Sequence, residues 1–139
     1  MANVKKSKGT IGILTGGGDV PGLNPAIRAV TVRALREGYK VLGIRRGWAG
    51  LIEIDRGRKN GSDFVINLTE EVVNKVGRTG GTFLHSSRTR PSHVPQTAIP
   101  DHLRDTYTGD VSDLTKEVLA NIEYLGIDTL IPIGGDDTL

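Results

Sequence analysis

Ile133-Gly134-Gly135-Asp136-Asp137-Thr138-Leu139 sets two glycines and two adjacent carboxylates at the end of an apolar run. That combination suits phosphate and metal. Glycine lets a backbone approach an anion closely, and a carboxylate beside it can hold the Mg2+ that offsets phosphoryl charge. Glycine and aspartate also fill ordinary turns, so this stretch alone leaves a plain strand-end turn open. A second candidate lies near the other end. Thr10 to Thr15 reads as a short buried strand, Gly16-Gly17-Gly18-Asp19-Val20-Pro21-Gly22 as a glycine-rich turn, and Asn24-Pro25 as an N-cap followed by proline at the first helical position. Strand, glycine loop and helix N-terminus together make an anion site, because unpaired N–H groups and the positive end of the helix dipole point at the loop.

Other chemistries find less support. The dinucleotide fingerprint requires a third glycine where Pro21 stands, although Arg45-Arg46 after the second strand would suit a 2′-phosphate, so an NADP-binding reading stays open. The phosphate loop ending in Gly-Lys-Ser/Thr is absent. His85, His93 and His102 lack the spacing of a metal site, and no glycine-serine elbow supports a nucleophilic triad, so all three read as structural or solvated.

Three segments in order carry a resemblance: Thr15-Gly16-Gly17-Gly18-Asp19-Val20-Pro21-Gly22-Leu23-Asn24 with Ile27-Arg28, then Gly80-Gly81-Thr82-Phe83-Leu84-His85-Ser86-Ser87-Arg88, then Gly134-Gly135-Asp136-Asp137-Thr138. The chain resembles the N-terminal portion of the phosphofructokinase family, from about Gly12 to the last residue. The resemblance implies Mg2+-dependent phosphoryl transfer to the 1-hydroxyl of fructose 6-phosphate, a step of glycolysis, in a homo-oligomer. It implies that Gly17, Arg88, Gly135 and Thr138 bind the phosphoryl donor and that Asp136 is the metal carboxylate. Asp137 stands where ATP-using relatives typically carry glycine and pyrophosphate-using ones aspartate. A carboxylate there fills space and repels the α-phosphate of a nucleotide, so the resemblance favours pyrophosphate, with ATP as the alternative. Trp48 sits where ATP-using members place an aromatic near the nucleotide, with core packing as the other reading. Val32 replaces the second arginine that follows Arg28 by four positions in members with nucleotide effectors, which puts such control in doubt. The family's general base and sugar-phosphate residues are expected beyond Leu139. A catalytically inactive, phosphate-binding fragment, with apolar surface left open after the last strand, is therefore a further alternative.

Positioning these residues calls for an α/β fold, a Rossmann-like parallel sheet with flanking helices over residues 1–139, ligand loops gathering at the carboxyl ends of the strands. Ile27, Val30, Ala34 and Leu35 recur at helical spacing before Gly38, and Lys40–Arg46 reads as the second strand. Glu53–Leu68 reads as turns or short strands, and Thr69–Lys75 as a short capped helix. Residues 90–110, with Pro91, Pro95 and Pro100, read as an exposed loop with one turn of helix. Leu114, Val118, Leu119, Ile122 and Leu125 form one apolar helical face, Gly126 ends it, and Thr129–Ile133 is the last strand.

The 19 glycines with 4% aromatic residues favour loop-rich, aliphatic packing, and 139 residues suffice for one core. The 18 Lys and Arg are scattered rather than gathered on one face, which argues against a nucleic-acid partner. No apolar run is long enough to span a bilayer, no secretory pattern follows Met1, and cysteine is absent. The expected setting is a soluble, cytoplasmic protein with no membrane partner.

Overall fold

A computed structural model describes residues 7–17, 22–58, 61–136 and 138. The chain runs β1 (Thr10–Thr15), α1 (Leu23–Arg36), β2 (Lys40–Ile44), α2 (Gly47–Glu53), α3 (Gly61–Phe64), β3 (Val65–Asn67), α4 (Glu70–Val76), β4 (Val94–Pro95), β5 (Val111–Ser112), α5 (Thr115–Tyr124) and β6 (Thr129–Ile133), with 3-10 turns at Gln96–Ala98 and Asp101–Leu103. Four strands make one sheet in the order β3-β2-β1-β6, and β4 and β5 form a separate hairpin. β1 runs parallel to both neighbours, with Thr10 opposite Lys40 and Thr15 opposite Ile133. The ends of β1 and β6 therefore lie side by side, and both glycine turns leave the same edge.

The sheet is mixed rather than wholly parallel, because β3 pairs antiparallel to β2. The Arg45 N–H donates to the Phe64 carbonyl at 2.7 Å. The chain thus re-enters the sheet at the end where β2 left it, and from there it can only run back. Within Glu53–Leu68, expected as turns or short strands, lie the four-residue α3 and this strand.

Strand alternation splits the apolar residues between two faces. Leu14, Leu42 and Ile44 pack with Leu51, Ile52, Ile54, Val118 and Ile127 beneath α2 and α5. Ile13 and Val41 pack with Ile27, Ala34, Val73 and Leu84 beneath α1 and α4. Gly43 is required on that second face: a Cβ there would lie 2.7 Å from Leu84 Cδ2. Thr69 caps α4 by accepting from the Val72 N–H at 3.2 Å, as its sequence pattern predicts. Arg28 is turned to α4, its Nε donating to Asn74 Oδ1 at 2.8 Å.

Three local expectations are corrected. Asn24 is not an N-cap: α1 starts at Leu23, two residues earlier than expected, behind Gly22 at φ 101°, and no side chain caps it. Leu119 does not belong to the buried face of α5 but is 61% exposed, whereas Asn121 is buried. The helix is rotated by the polar grip of Asn121, whose Nδ2 donates to Leu51 O and whose Oδ1 accepts from Arg56 Nη1, each at 2.5 Å. Residues 90–110 do present a largely exposed surface, yet Val94, Ile99 and Leu103 are buried and pin the segment to the core under α2 and α5. Tyr107 clasps its far end by donating to Glu117 Oε1 at 3.0 Å, and burial together with that bond pushes the phenol pKa up.

Thr31 is fully buried in α1, and its hydroxyl has no hydrogen-bond partner among the described residues. An unpaired buried hydroxyl costs more than the methyl that would replace it. Thr31→Val is expected to stabilise the chain by roughly 1 kcal/mol, or about 3 °C in Tm. A lower Tm in thermal unfolding would show that the hydroxyl is satisfied.

Candidate functional site

The three glycine-bearing segments meet at the carboxyl edge of β1 and β6. Thr15, the last residue of β1, is fully buried, and its Oγ1 lies 2.9 Å from Thr82 Oγ1 and donates to His85 O at 3.0 Å. The next turn is knitted to the same segment: Gly17 N–H donates to Ser87 O at 3.3 Å, and Ser86 Oγ donates to Gly17 O at 2.6 Å. Gly16 N–H donates to Ile133 O at 2.9 Å, which locks the first turn to the strand feeding the last one. Ser86 and Ser87 were not separable from the rest of their segment by residue type. Their roles follow from which backbone group each faces.

Asn24 serves this junction from the first turn of α1. It is 2% exposed; its Nδ2 donates to Thr79 Oγ1 at 3.0 Å and its Oδ1 accepts from the Phe83 N–H at 2.8 Å. Its backbone N–H donates to Gly81 O at 3.2 Å. That helix-end donor, expected to face an anion, is instead used to hold the Gly80-Gly81-Thr82 turn in place.

The glycines divide by what surrounds them. A Cβ on Gly16 or Gly134 would collide with the side chain of Thr138, so these two make room for that residue. Gly17 and Gly135 are different. Among the described residues, a Cβ at Gly17 (φ 77°) would have only the Gly135 nitrogen nearby, at 3.7 Å, and a Cβ at Gly135 would meet nothing within 4 Å. Gly17 thus faces the Gly135 backbone, and among the described residues no side chain fills the space in front of Gly135, which makes a backbone cradle. Thr138 belongs to the same turn: it is 3% exposed, its N–H donates to Gly135 O at 3.0 Å, and its hydroxyl is buried with no partner among the described residues.

Asp136 and Arg88 are both exposed at this edge. Among the described residues no three His, Asp or Glu side chains gather to cage a metal. A lone exposed carboxylate beside an open cradle fits the way Mg2+ is held, by one or two carboxylates with the remaining oxygens from phosphate and water. Asp137 lies outside the described residues, as do Gly18 to Pro21. Beyond Thr138 a cavity of about 600 Å3 opens, walled by Trp48, Pro91, Val118, Leu119 and Ile122 and bordered by Asp136. His85, His93 and His102 are exposed, and His85 has a left-handed backbone at φ 59°.

Residues 10–139 match the family model described as Phosphofructokinase. The chain is 41% identical over 133 residues to a pyrophosphate–fructose 6-phosphate 1-phosphotransferase of Dictyoglomus thermophilum, covering 96% of this chain and 31% of that protein. It is 40% identical over 130 residues to the ATP-dependent 6-phosphofructokinase 3 of Streptomyces coelicolor, covering 93% of this chain and 30% of that one. Among solved structures, Pichia pastoris phosphofructokinase in the T-state superposes with a TM-score of 0.67 at 28% identity, over 99% of this chain and 13% of that one. The chain spans about a third of the length of the curated relatives it matches.

Proposed function

The chain belongs to the phosphofructokinase family, and from that premise we propose that it carries the phosphoryl-donor half of a transfer from pyrophosphate to fructose 6-phosphate, giving fructose 1,6-bisphosphate in cytoplasmic glycolysis. The observation that supports this most is the cradle of Gly17 and Gly135 over the unpartnered Thr138 hydroxyl. Backbone at both glycines lies against the donor's phosphoryl oxygens, Thr138 hydrogen-bonds one of them, and Arg88 reaches the donor from the segment that Gly17 is knitted to. Asp136 would hold Mg2+, which when bound would supply positive charge to offset that on the transferred group. The chain's contribution is thus positioning and charge, which supply most of the rate in phosphoryl transfer. The sugar phosphate and the base that takes its hydroxyl proton belong to the remaining two thirds of the relatives' length and to a second subunit of a homo-oligomer. On this reading residues 1–139 alone bind donor and form no product.

Pyrophosphate is assigned as the donor on the residue type at position 137: an aspartate there, as in the pyrophosphate-using relatives the sequence resembles, would fill space and repel an inner nucleotide phosphate. One observation favours ATP as a second reading. The 600 Å3 cavity beside Thr138 has apolar walls from Trp48, Val118 and Ile122, with Arg90, Ser92 and Asp136 also lining it, and is large enough for a purine. The two readings separate in a polypeptide that also carries the acceptor site. With fructose 6-phosphate and Mg2+, kcat/KM for pyrophosphate is expected to exceed that for ATP, and Asp137→Gly to move the ratio toward ATP by roughly 10- to 100-fold. Equal or better use of ATP by the unaltered protein would reject the donor assignment. A proportional loss of both activities in Asp137→Gly would place Asp137 in geometry common to both donors.

A further inference from the structure

Two consecutive residues with positive φ, Arg46 at 61° and Gly47 at 58°, turn the chain from β2 into α2. The first turn of α2 then touches all three glycine-bearing segments. Gly47 lies on the carbonyl of Thr15, where a Cβ would be 2.6 Å from the oxygen. The Ala49 N–H donates to Ser87 Oγ at 3.4 Å, and Trp48 Nε1–H donates to Thr138 O at 3.0 Å. The Gly134–Thr138 turn that receives the indole bond leaves β6, the outer strand of the sheet, whose residues are half-exposed or exposed. Thr138 is thereby held on three sides: by its own N–H to Gly135 O, by Gly16 and Gly134 against its side chain, and by the indole on its carbonyl. Its hydroxyl, packed against Gly16 and Gly134, has no hydrogen-bond partner among the described residues.

We propose that Trp48 is the positioning residue of the donor turn: its N–H clamps the Thr138 carbonyl and so holds the turn that carries Gly135 and Thr138 in register with Gly17, an inference that rests on reading the cradle as a phosphoryl-donor site. Packing alone would call for any large aromatic. The bond calls for an indole, which carries a hydrogen-bond donor that phenylalanine lacks. Trp48 is also the single tryptophan of the chain, so its emission reports on this one contact.

The test compares the unaltered 139-residue chain with Trp48→Phe, which keeps an aromatic ring and deletes the donor. Amide exchange is followed by NMR, and magnesium pyrophosphate is titrated by calorimetry and by tryptophan emission. Loss of one neutral hydrogen bond is expected to speed exchange of the Thr138 amide and to weaken pyrophosphate binding, each roughly five- to tenfold. Exchange at Ile13 and Leu14 should not change, which separates a clamp from a general loss of stability. In the unaltered chain the emission should shift with the calorimetric midpoint, and Thr138→Val should abolish binding without faster exchange. Unchanged Thr138 exchange in Trp48→Phe would overturn the clamp, whatever pyrophosphate does. Failure of the unaltered chain to bind pyrophosphate would instead remove the donor reading. In that case Thr138 exchange alone decides the clamp, upheld if faster in Trp48→Phe and rejected if not.

Discussion

Gly47→Ala is expected to lower stability by roughly 3–4 kcal/mol, a large share of the total for a domain of this size. Two effects add. Alanine at φ 58° has the unfavourable left-handed backbone, costing about 1–2 kcal/mol. Its Cβ would also sit 2.6 Å from the Thr15 carbonyl oxygen, and a backbone atom at the end of a buried strand has little freedom to retreat, which adds about 1–3 kcal/mol. Gly22→Ala is the comparison, since Gly22 also has a positive φ, 101°, but among the described residues nothing lies within 4 Å of the place its Cβ would take, so it carries a backbone cost without that collision. Urea denaturation of the two variants isolates the collision as the difference between them. Equal losses would mean that α2 is not seated on the end of β1. The consequence reaches the site, because Thr15 leads directly into Gly16 and Gly17 and α2 carries Trp48.

Much of this arrangement was legible in the sequence, for physical reasons that differ by element. The period of α1 and the cap at Thr69 are local signals, and both describe the helices found. That the ends of β1 and β6 adjoin is a property of a parallel sheet, and with it came the approach of Gly17 to Gly135. What stayed hidden depended on contacts distant in sequence. Asn24 looked like a cap because its type suits one, but its partners lie 55 to 59 residues away. Leu119 looked buried because helical periodicity fixes a face only to within a residue, and the hydrogen bonds of Asn121 rotated that face. Trp48 was equally a core residue or a nucleotide contact by type. The bond to Thr138, 90 residues on, decides where it points. The glycines show the limit most clearly: Gly16, Gly17, Gly134 and Gly135 are identical letters, yet two make room for a threonine and two leave a cradle.

That division supplies the second large effect, a substitution that should spare the fold and remove the function. At Gly135 the backbone is outside the left-handed region and a side chain meets nothing within 4 Å. Gly135→Val should therefore change stability by no more than about 1 kcal/mol, a reduced unfolded-state entropy partly offsetting the loss of backbone freedom. On the donor-site reading, its methyl groups would crowd the backbone that a phosphate must approach closely. Gly17 offers no such clean test, because at φ 77° any side chain adds strain.

The most direct measurement is calorimetric titration of magnesium pyrophosphate into the 139-residue chain and into Gly135→Val, with thermal unfolding of both. The donor-site account predicts saturable binding to the unaltered chain that weakens when Mg2+ is chelated, and a loss of roughly 100-fold, about 2.7 kcal/mol, in Gly135→Val at nearly unchanged Tm. Equal binding by the two proteins, or no binding by the unaltered one, would contradict it.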